Sequence, residues 1–480
     1  MSSETTTDER GDPGHPPRIS RRNMLAATAL ATVAASPSFL PRASADDGTT
    51  LRSAVRGDVV LPDDAGFDAA RRPWFLSVDQ TVRAVVSPVD VDDAAALVHH
   101  ARNTGSALAI QPNGHSGTAA VDGAILVRTN HFDEVSVDAG RASARVGAGV
   151  SWRAVQAAAA RAGLLPLAGS APGVGVVGYL LGGGLSWFSR AYGWGTESVT
   201  AVDGLTADGD RFRATATTDA DLFWALRGGG GDFAFVTAVE FDLYPAPTLV
   251  GGSMRWPADR NLAVLTAFRD VTTTAPDELT IWFTHVHAPG GPPLVGVDVT
   301  FLGDVDTARS LLKAFDDIPG VVSDTRRILD LDDTGSITNE PTAPTALRQQ
   351  AMLLGSLSDE VIEFLASAPM DPLLTFQLRH LGGALRRQSN TAAGSLAEPY
   401  LANFVGRATT PTAAAATQAR VHALRSALGS VVAERVPFTL LAPEQSAAQA
   451  FPAQTLARLR DVKEHRDPRG VLRSNHPVRF

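Results

Sequence analysis

Residues 169–184 read Gly-Ser-Ala-Pro-Gly-Val-Gly-Val-Val-Gly-Tyr-Leu-Leu-Gly-Gly-Gly, seven glycines in sixteen positions. Ordering glycine costs more backbone entropy than ordering any other residue. A chain that gathers so many in one place does so where something must lie close against the backbone. A second run, Gly228 to Gly231, follows a short helical pattern at 219–226 and leads into a strand-like stretch at 236–243. The chain is therefore read as carrying two glycine runs of this kind.

A third unusual loop sits upstream. Residues 81–87 are β-branched and alternating. Asp90 can cap a helix whose apolar positions Ala94, Leu97, Val98 and Ala101 recur at helical spacing. Gly105 is placed to end it, and 107–110 is the next strand. That strand runs straight into Gln111-Pro-Asn-Gly-His-Ser-Gly-Thr118. A βαβ unit that delivers a polar, glycine-containing loop suits a nucleotide diphosphate. Further strands are expected at 126–127, 143–146, 198–205 and 211–215, with a helix at 152–162. From about 250 to 425 the glycine loops disappear. Strands at 279–287, 294–301, 373–381 and 400–405 alternate with helices at 306–315, 359–366 and 412–428, the pattern of an α+β unit with an antiparallel sheet. A helix followed by a basic tail is expected at 456–480.

The 480 residues are 44% hydrophobic and 19% charged, a globular balance with room for two or three domains. With no cysteine, disulfides, thiolate metal sites and cysteinyl cofactor links are excluded. The N-terminal stretch holds Ser20-Arg21-Arg22, a short Ala-rich apolar run and Ala43-Ser44-Ala45, the three parts of a twin-arginine export signal. The alternative, a membrane anchor, needs about 20 apolar residues that this run lacks. Removing residues 1–45 leaves 37 basic and 47 acidic side chains, a net of −10, which argues against nucleic-acid binding. An exported, extracytoplasmic or secreted protein with no membrane span is expected.

Taken together the motifs resemble the FAD-linked oxidases of the vanillyl alcohol oxidase type, in particular the berberine-bridge-enzyme-like branch. The matching pieces, in family order, are Gln111 to Ser116, Pro172 to Gly184, Thr206-Ala-Asp-Gly209, Asp221 to Gly231, Leu381-Gly-Gly-Ala384, Asn403-Phe404, and Arg458 to Lys463 with Asp467-Pro468 and Asn475. The resemblance implies an α+β, two-lobed fold. An FAD-binding PCMH-type domain spans 46–248, a substrate domain with a helix-covered antiparallel sheet spans 249–425, and 426–480 returns to the first lobe. It implies FAD bonded covalently through His115 alone, because Ala171 stands where the family often has a second, cysteinyl link.

Gln111, Asn113, Gly114, Ser116, Gly117 and Thr118 are expected to donate to the pyrophosphate. Pro172, Gly173, Val174, Gly175, Gly178, Gly182, Gly183, Gly184, Val236 and Asn475 are expected against the rest of the cofactor. Val174 stands where similar proteins place an oxygen-gating residue, and a small valine there favours an oxidase. Asp232-Phe233-Ala234 departs from the family's Asn-Phe-Gly. The tyrosines that serve as bases in alcohol- and sugar-oxidising members read here as Leu381 and Leu401, with Tyr400 one residue off and thus on the opposite strand face. Other candidates are His285 and His287, two apart on one strand, and Gln377 and Arg379 on another. A histidine could serve as base and Arg379 could hold a carboxylate or enolate oxygen; the alternative is that these faces meet solvent or packed helices. No third ligand supports a metal at the histidine pair. The implied activity is oxidation of a small organic substrate (an oligosaccharide, phenolic or secondary metabolite) with oxygen as acceptor. The alternatives are a dehydrogenase using another acceptor and a flavin-binding protein without a base. The oligomeric state is left open.

Overall fold

The computed structural model describes residues 48–287 and 289–479. The export signal expected at 1–45 lies outside these residues. No helix among them is long and apolar enough to cross a membrane.

The first lobe begins with the βαβ unit. Strands Ala84–Ser87 and Leu108–Ile110 both pair in parallel with Ile125–Val127 between them, and Asp58–Val60 closes the edge antiparallel. The crossover helix Val91–Thr104 starts at Asp90, whose carboxylate accepts the Asp93 N–H at 2.9 Å, and ends at Gly105 with φ +69°. Its inner face buries Ala94, Leu97, Val98 and Ala101 completely; each large apolar side chain so buried contributes roughly 1.5–3 kcal/mol. A second, antiparallel sheet has the order Val135–Asp138, Ser143–Gly147, Phe235–Asp242, Val199–Leu205, Arg211–Thr215. Helix Val176–Leu181 packs on it from inside the glycine run, an element the glycine content conceals in the sequence.

The chain's end returns to this lobe. Leu108 N–H donates to Val471 O and Arg473 N–H donates to Leu108 O, so the tail adds beside the strand that feeds the histidine loop. Helix Ala453–Arg466 carries Lys463 inward, where its ammonium donates to Asp467, Leu472 O and Asp232 O at 2.6–2.8 Å. The buried Asp232 carboxylate accepts from Ser474 N–H and Val478 N–H. The departure from the family's asparagine thus supplies an acceptor that secures the tail.

In the second lobe one sheet runs Ser323–Asp324, Leu249–Pro257, Leu294–Leu302, Leu279–Val286, Leu373–His380, Tyr400–Arg407, Leu347–Leu354. Helices Asn261–Thr274, Asp359–Ser367 and Pro411–Leu428 bury Val264, Leu265, Phe268, Ile362 and Leu424 against one face, with Phe283, Leu378 and Phe404 from the strands. The other face is polar and looks towards the first lobe. Strands Leu249–Pro257 and Leu347–Leu354 and helix Asn261–Thr274 are not apparent from sequence pattern. One strand carries Gly251-Gly252 and the other opens Leu-Arg-Gln-Gln, because its inward side chains line a polar cavity instead of a core.

Candidate active site

Strand Leu108–Ile110 delivers Gln111 into the histidine loop. Gly114 sits at φ +72°, and a Cβ there would lie 2.8 Å from Pro73 Cα, so only glycine fits. The turn is closed by Trp74 N–H donating to Gly114 O at 3.0 Å. This brings the Trp74 indole flat against the His115 ring, centroids 4.1 Å apart and planes 18° from parallel. Burial pushes the His115 imidazole down to about 4, so it is neutral at ordinary pH. Its Nε2 is buried without a hydrogen-bond partner. Beneath the loop, Gln111 Nε2 donates to Asn475 Oδ1 at 3.0 Å, the Thr118 hydroxyl donates to Asn475 O at 2.6 Å, and Arg128 donates to Gln111 O at 2.8 Å. Thr118 thereby serves the loop–tail joint.

The glycine run divides into two groups. A Cβ on Gly173 or Gly178 would meet nothing within 4 Å, and on Gly175 nothing closer than 3.6 Å. These positions leave room beside the backbone. Gly183 and Gly184 do not: both have positive φ, a Cβ on Gly184 would lie 2.4 Å from the Tyr179 ring, and one on Gly183 would touch Ala393. The expectation that Gly183 and Gly184 face the cofactor is corrected accordingly; they enclose Tyr179 and a neighbouring loop. Gly117 packs against Pro73 and Pro172 against Gly335, both away from the cavity lining.

A cavity of about 710 Å³ lies between the lobes, large enough for a cofactor with a small partner. Gln111, Asn113, Gly114, His115, Ser116, Val174, Gly175, Gly178, Gly182, Val236 and Asn475 line it, as do Tyr179 and Ser474. Buried polar atoms without partners collect here: His115 Nε2, Tyr179 Oη, Ser474 Oγ, Thr338 Oγ1 and Thr345 Oγ1. Such atoms are costly unless a ligand satisfies them. A cradle with open space at glycine, a polar loop and these unmet donors fit a flavin nucleotide. A second hollow of about 660 Å³, lined by Arg161, Thr248, Asp330, Asp332 and apolar neighbours, is open to solvent and contains no buried orphan.

The far wall is the polar sheet face: Arg255, Thr284, Asp298, Gln349, Gln377, Arg379 and Asn403, closed by the loop Thr338 to Pro341. Gln377 and Arg379 stand together as their spacing suggests, with Gln377 Oε1 accepting from Arg379 Nη2 at 2.9 Å. Arg379 lies over the Trp282 ring at 4.0 Å. Asp298 is engaged by Arg255 and by the Thr284 hydroxyl, the latter at 2.5 Å. Glu340 has no hydrogen-bond or ion-pair partner among the described residues.

His285 and His287 do not reach this wall. Thr284 and Val286 line the cavity, so strand alternation turns His285 to the helix-covered face beside Phe376 and Phe283. Burial pushes His285 down to about 4. His287 is exposed beyond the strand end. Both are corrected as base candidates. Leu381 and Leu401 pack with Leu185, Trp194 and Leu353, while Tyr400 points away and bonds Thr272 at 2.9 Å. Tyr179, Asp298, Glu340 and Gln349 were not among the expected site residues, and Asn403 was noted only as part of a family-like motif. Tyr179 was visible as the one phenol inside the glycine run; isolated polar residues in a strand or loop give no such signal.

Residues 82–215 match the family model described as FAD binding domain. The chain is 29% identical over 291 residues to (R)-6-hydroxynicotine oxidase of Paenarthrobacter nicotinovorans, covering 60% of this chain and 64% of that one. It is 31% identical over 228 residues to glucooligosaccharide oxidase of Sarocladium strictum, covering 46% of each. These matches span less than two thirds of the relatives' length. Among solved structures, BBE-like 1 of Physcomitrella patens superposes with a TM-score of 0.79 at 20% identity, over 89% of this chain and 97% of that one. That likeness is one of fold. With the histidine loop, the glycine cradle and the sheet-walled cavity in place, the chain carries an FAD binding domain and is similar to FAD-linked oxidoreductases, with a fold like that of the berberine-bridge-enzyme-like proteins.

Proposed function

We propose that this protein oxidises a small organic substrate in the inter-lobe cavity, with FAD bonded to His115 and dioxygen as the acceptor. The observation that carries this reading is the neutral, half-buried His115, its buried Nε2 unpartnered, at the mouth of a glycine cradle. A neutral imidazole is nucleophilic, and a charged one is not. When bound, FAD supplies the acceptor for a hydride and passes both electrons on, so that substrate and oxygen give oxidised product and hydrogen peroxide.

The chain's own residues do the rest. Trp74 fixes the His115 ring plane by stacking. The backbone at Gly175 and Gly178 leaves the cofactor's space clear, and the loop from Gln111 to Ser116 presents donors to its phosphates. Ala171 and the absence of cysteine allow a single link. On the far wall two carboxylates line the cavity. Asp298 is committed to Arg255 and Thr284, so Glu340 is the group positioned to take the substrate proton as the hydride leaves. The named relatives, a hydroxynicotine oxidase and a glucooligosaccharide oxidase, act on such small molecules and support the substrate range. Val174 in the lining supports oxygen as acceptor. Export rests on Arg21-Arg22 and the Ala43-Ser44-Ala45 site.

Acid-denatured protein, digested and read by mass spectrometry, tests the core of this. Flavin on a peptide containing His115 is the expected result. Flavin released freely removes His115 from its role, and well-folded protein without flavin sinks the reading as a whole.

A further inference from the structure

On the sheet that walls the cavity, Asp298 pairs across the strands with Trp282, and Trp282 pairs with Arg379, so the three stand in one row. Trp282 lies between the charges, stacked on Trp187 at 3.7 Å on one side and under the Arg379 guanidinium at 4.0 Å on the other. The acid is used up elsewhere: Arg255 and Thr284 hold it. Arg379 is left 9% exposed with no carboxylate within ion-pair distance among the described residues. A buried cation without a counterion is costly, and breaking such a pair normally costs several kcal/mol. The same sheet face closes its other arginine, Arg255, with a salt bridge, so leaving Arg379 open is not forced by the fold.

The hydrogen bonding says which edge is open. Gln377 Oε1 accepts from Nε and Nη2, at 3.3 and 2.9 Å, which occupies the side edge of the guanidinium. The end edge, from Nη1 to the second hydrogen of Nη2, has no acceptor among the described residues, and Arg379 lines the cavity. Two parallel N–H groups on a plane fixed by an indole match a carboxylate bidentately. Glu340 is near enough to be felt by Arg379 electrostatically, though beyond contact. Arg379 itself offers a ligand a single positive charge, part of it offset by Glu340, which suits a monoanionic carboxylate better than a phosphate.

From this geometry we infer that the substrate carries a carboxylate, anchored end-on by Arg379 with Trp282 and Gln377 holding the guanidinium in place. The inference rests on the flavin reading of the cavity and narrows it to organic acids.

Benzoate and its neutral isostere benzamide are titrated into the purified flavoprotein, and the visible flavin spectrum is followed. Benzoate is expected to perturb it saturably, at least tenfold more tightly than benzamide. Arg379→Gln should abolish that preference while the flavin spectrum and circular dichroism stay native. Arg379→Lys, which keeps the charge and loses the fork, should retain part of it. Equal affinity for the two probes, or no response to benzoate, in wild-type protein overturns the inference without needing any variant. Protein that lacks a flavin spectrum altogether condemns the underlying flavin reading instead.

Discussion

Gly178 and Gly184 lie six residues apart in one run, and substitution to alanine should separate their roles. At Gly178 an added methyl meets no protein atom, and the residue is helical. Alanine there should leave folding intact and gain roughly 0.5–1 kcal/mol of helix stability. The methyl would project into the cofactor's space. Gly178→Ala should therefore keep or raise the melting temperature of flavin-free protein while cutting flavin incorporation, read as the ratio of visible to ultraviolet absorbance. Full incorporation would mean that the flavin does not lie against this helix. His115 was legible because the Gly-His-Ser loop follows a strand and the chain has no other such loop. Gln377 and Arg379 were legible as a pair because a period of two puts them on one face. The same rule could not say which face, and that is why His285 went astray: alternation fixes relative direction, and packing decides which side sees helices. Glu340 became visible only when the fold placed it in the cavity lining with no hydrogen-bond or ion-pair partner among the described residues.

At the scale of elements, the βαβ unit was legible nearly to the residue, since cap, apolar spacing and terminal glycine agreed. Helix Val176–Leu181 was not, because glycine's low helix propensity is overridden there by packing of Val176, Val177 and Leu180 into the core. The C-terminal return shows how a polar residue can tie two distant segments. Asp232 accepts two tail N–H groups, and the tail in turn presents Asn475 to Gln111. Asp232→Asn, the family-like residue, keeps one acceptor oxygen and turns an amide donor on the other N–H. It should cost about 1–3 kcal/mol, the usual penalty for a buried donor left unmet. A lowered urea midpoint with faster carboxypeptidase digestion of the tail is the expected outcome. An unchanged midpoint would show that the Lys463 cluster secures the tail alone.

For the molecule as a whole, the two-lobed α+β architecture could be anticipated from the switch between glycine loops and an antiparallel pattern. The cavity between the lobes could not, since its lining is drawn from the histidine loop, the glycine helix, six strands of the second lobe's sheet, a connecting loop and the tail. The described residues form one compact unit, so a ligand held by all of these parts should stabilise them together. His115→Ala tests this and the covalent link at once. Without the link, FAD binds reversibly, and stability should grow with its free concentration, by about 2.7 kcal/mol at a hundredfold excess over Kd. Calorimetry of the variant should show a single transition whose Tm climbs with added FAD. Wild-type protein, its flavin already attached, should show a Tm indifferent to added FAD. Two transitions of which one responds would mean that the cofactor belongs to one lobe and the cavity does not couple them. A wild-type Tm that also climbs would mean that the flavin is not fixed at His115.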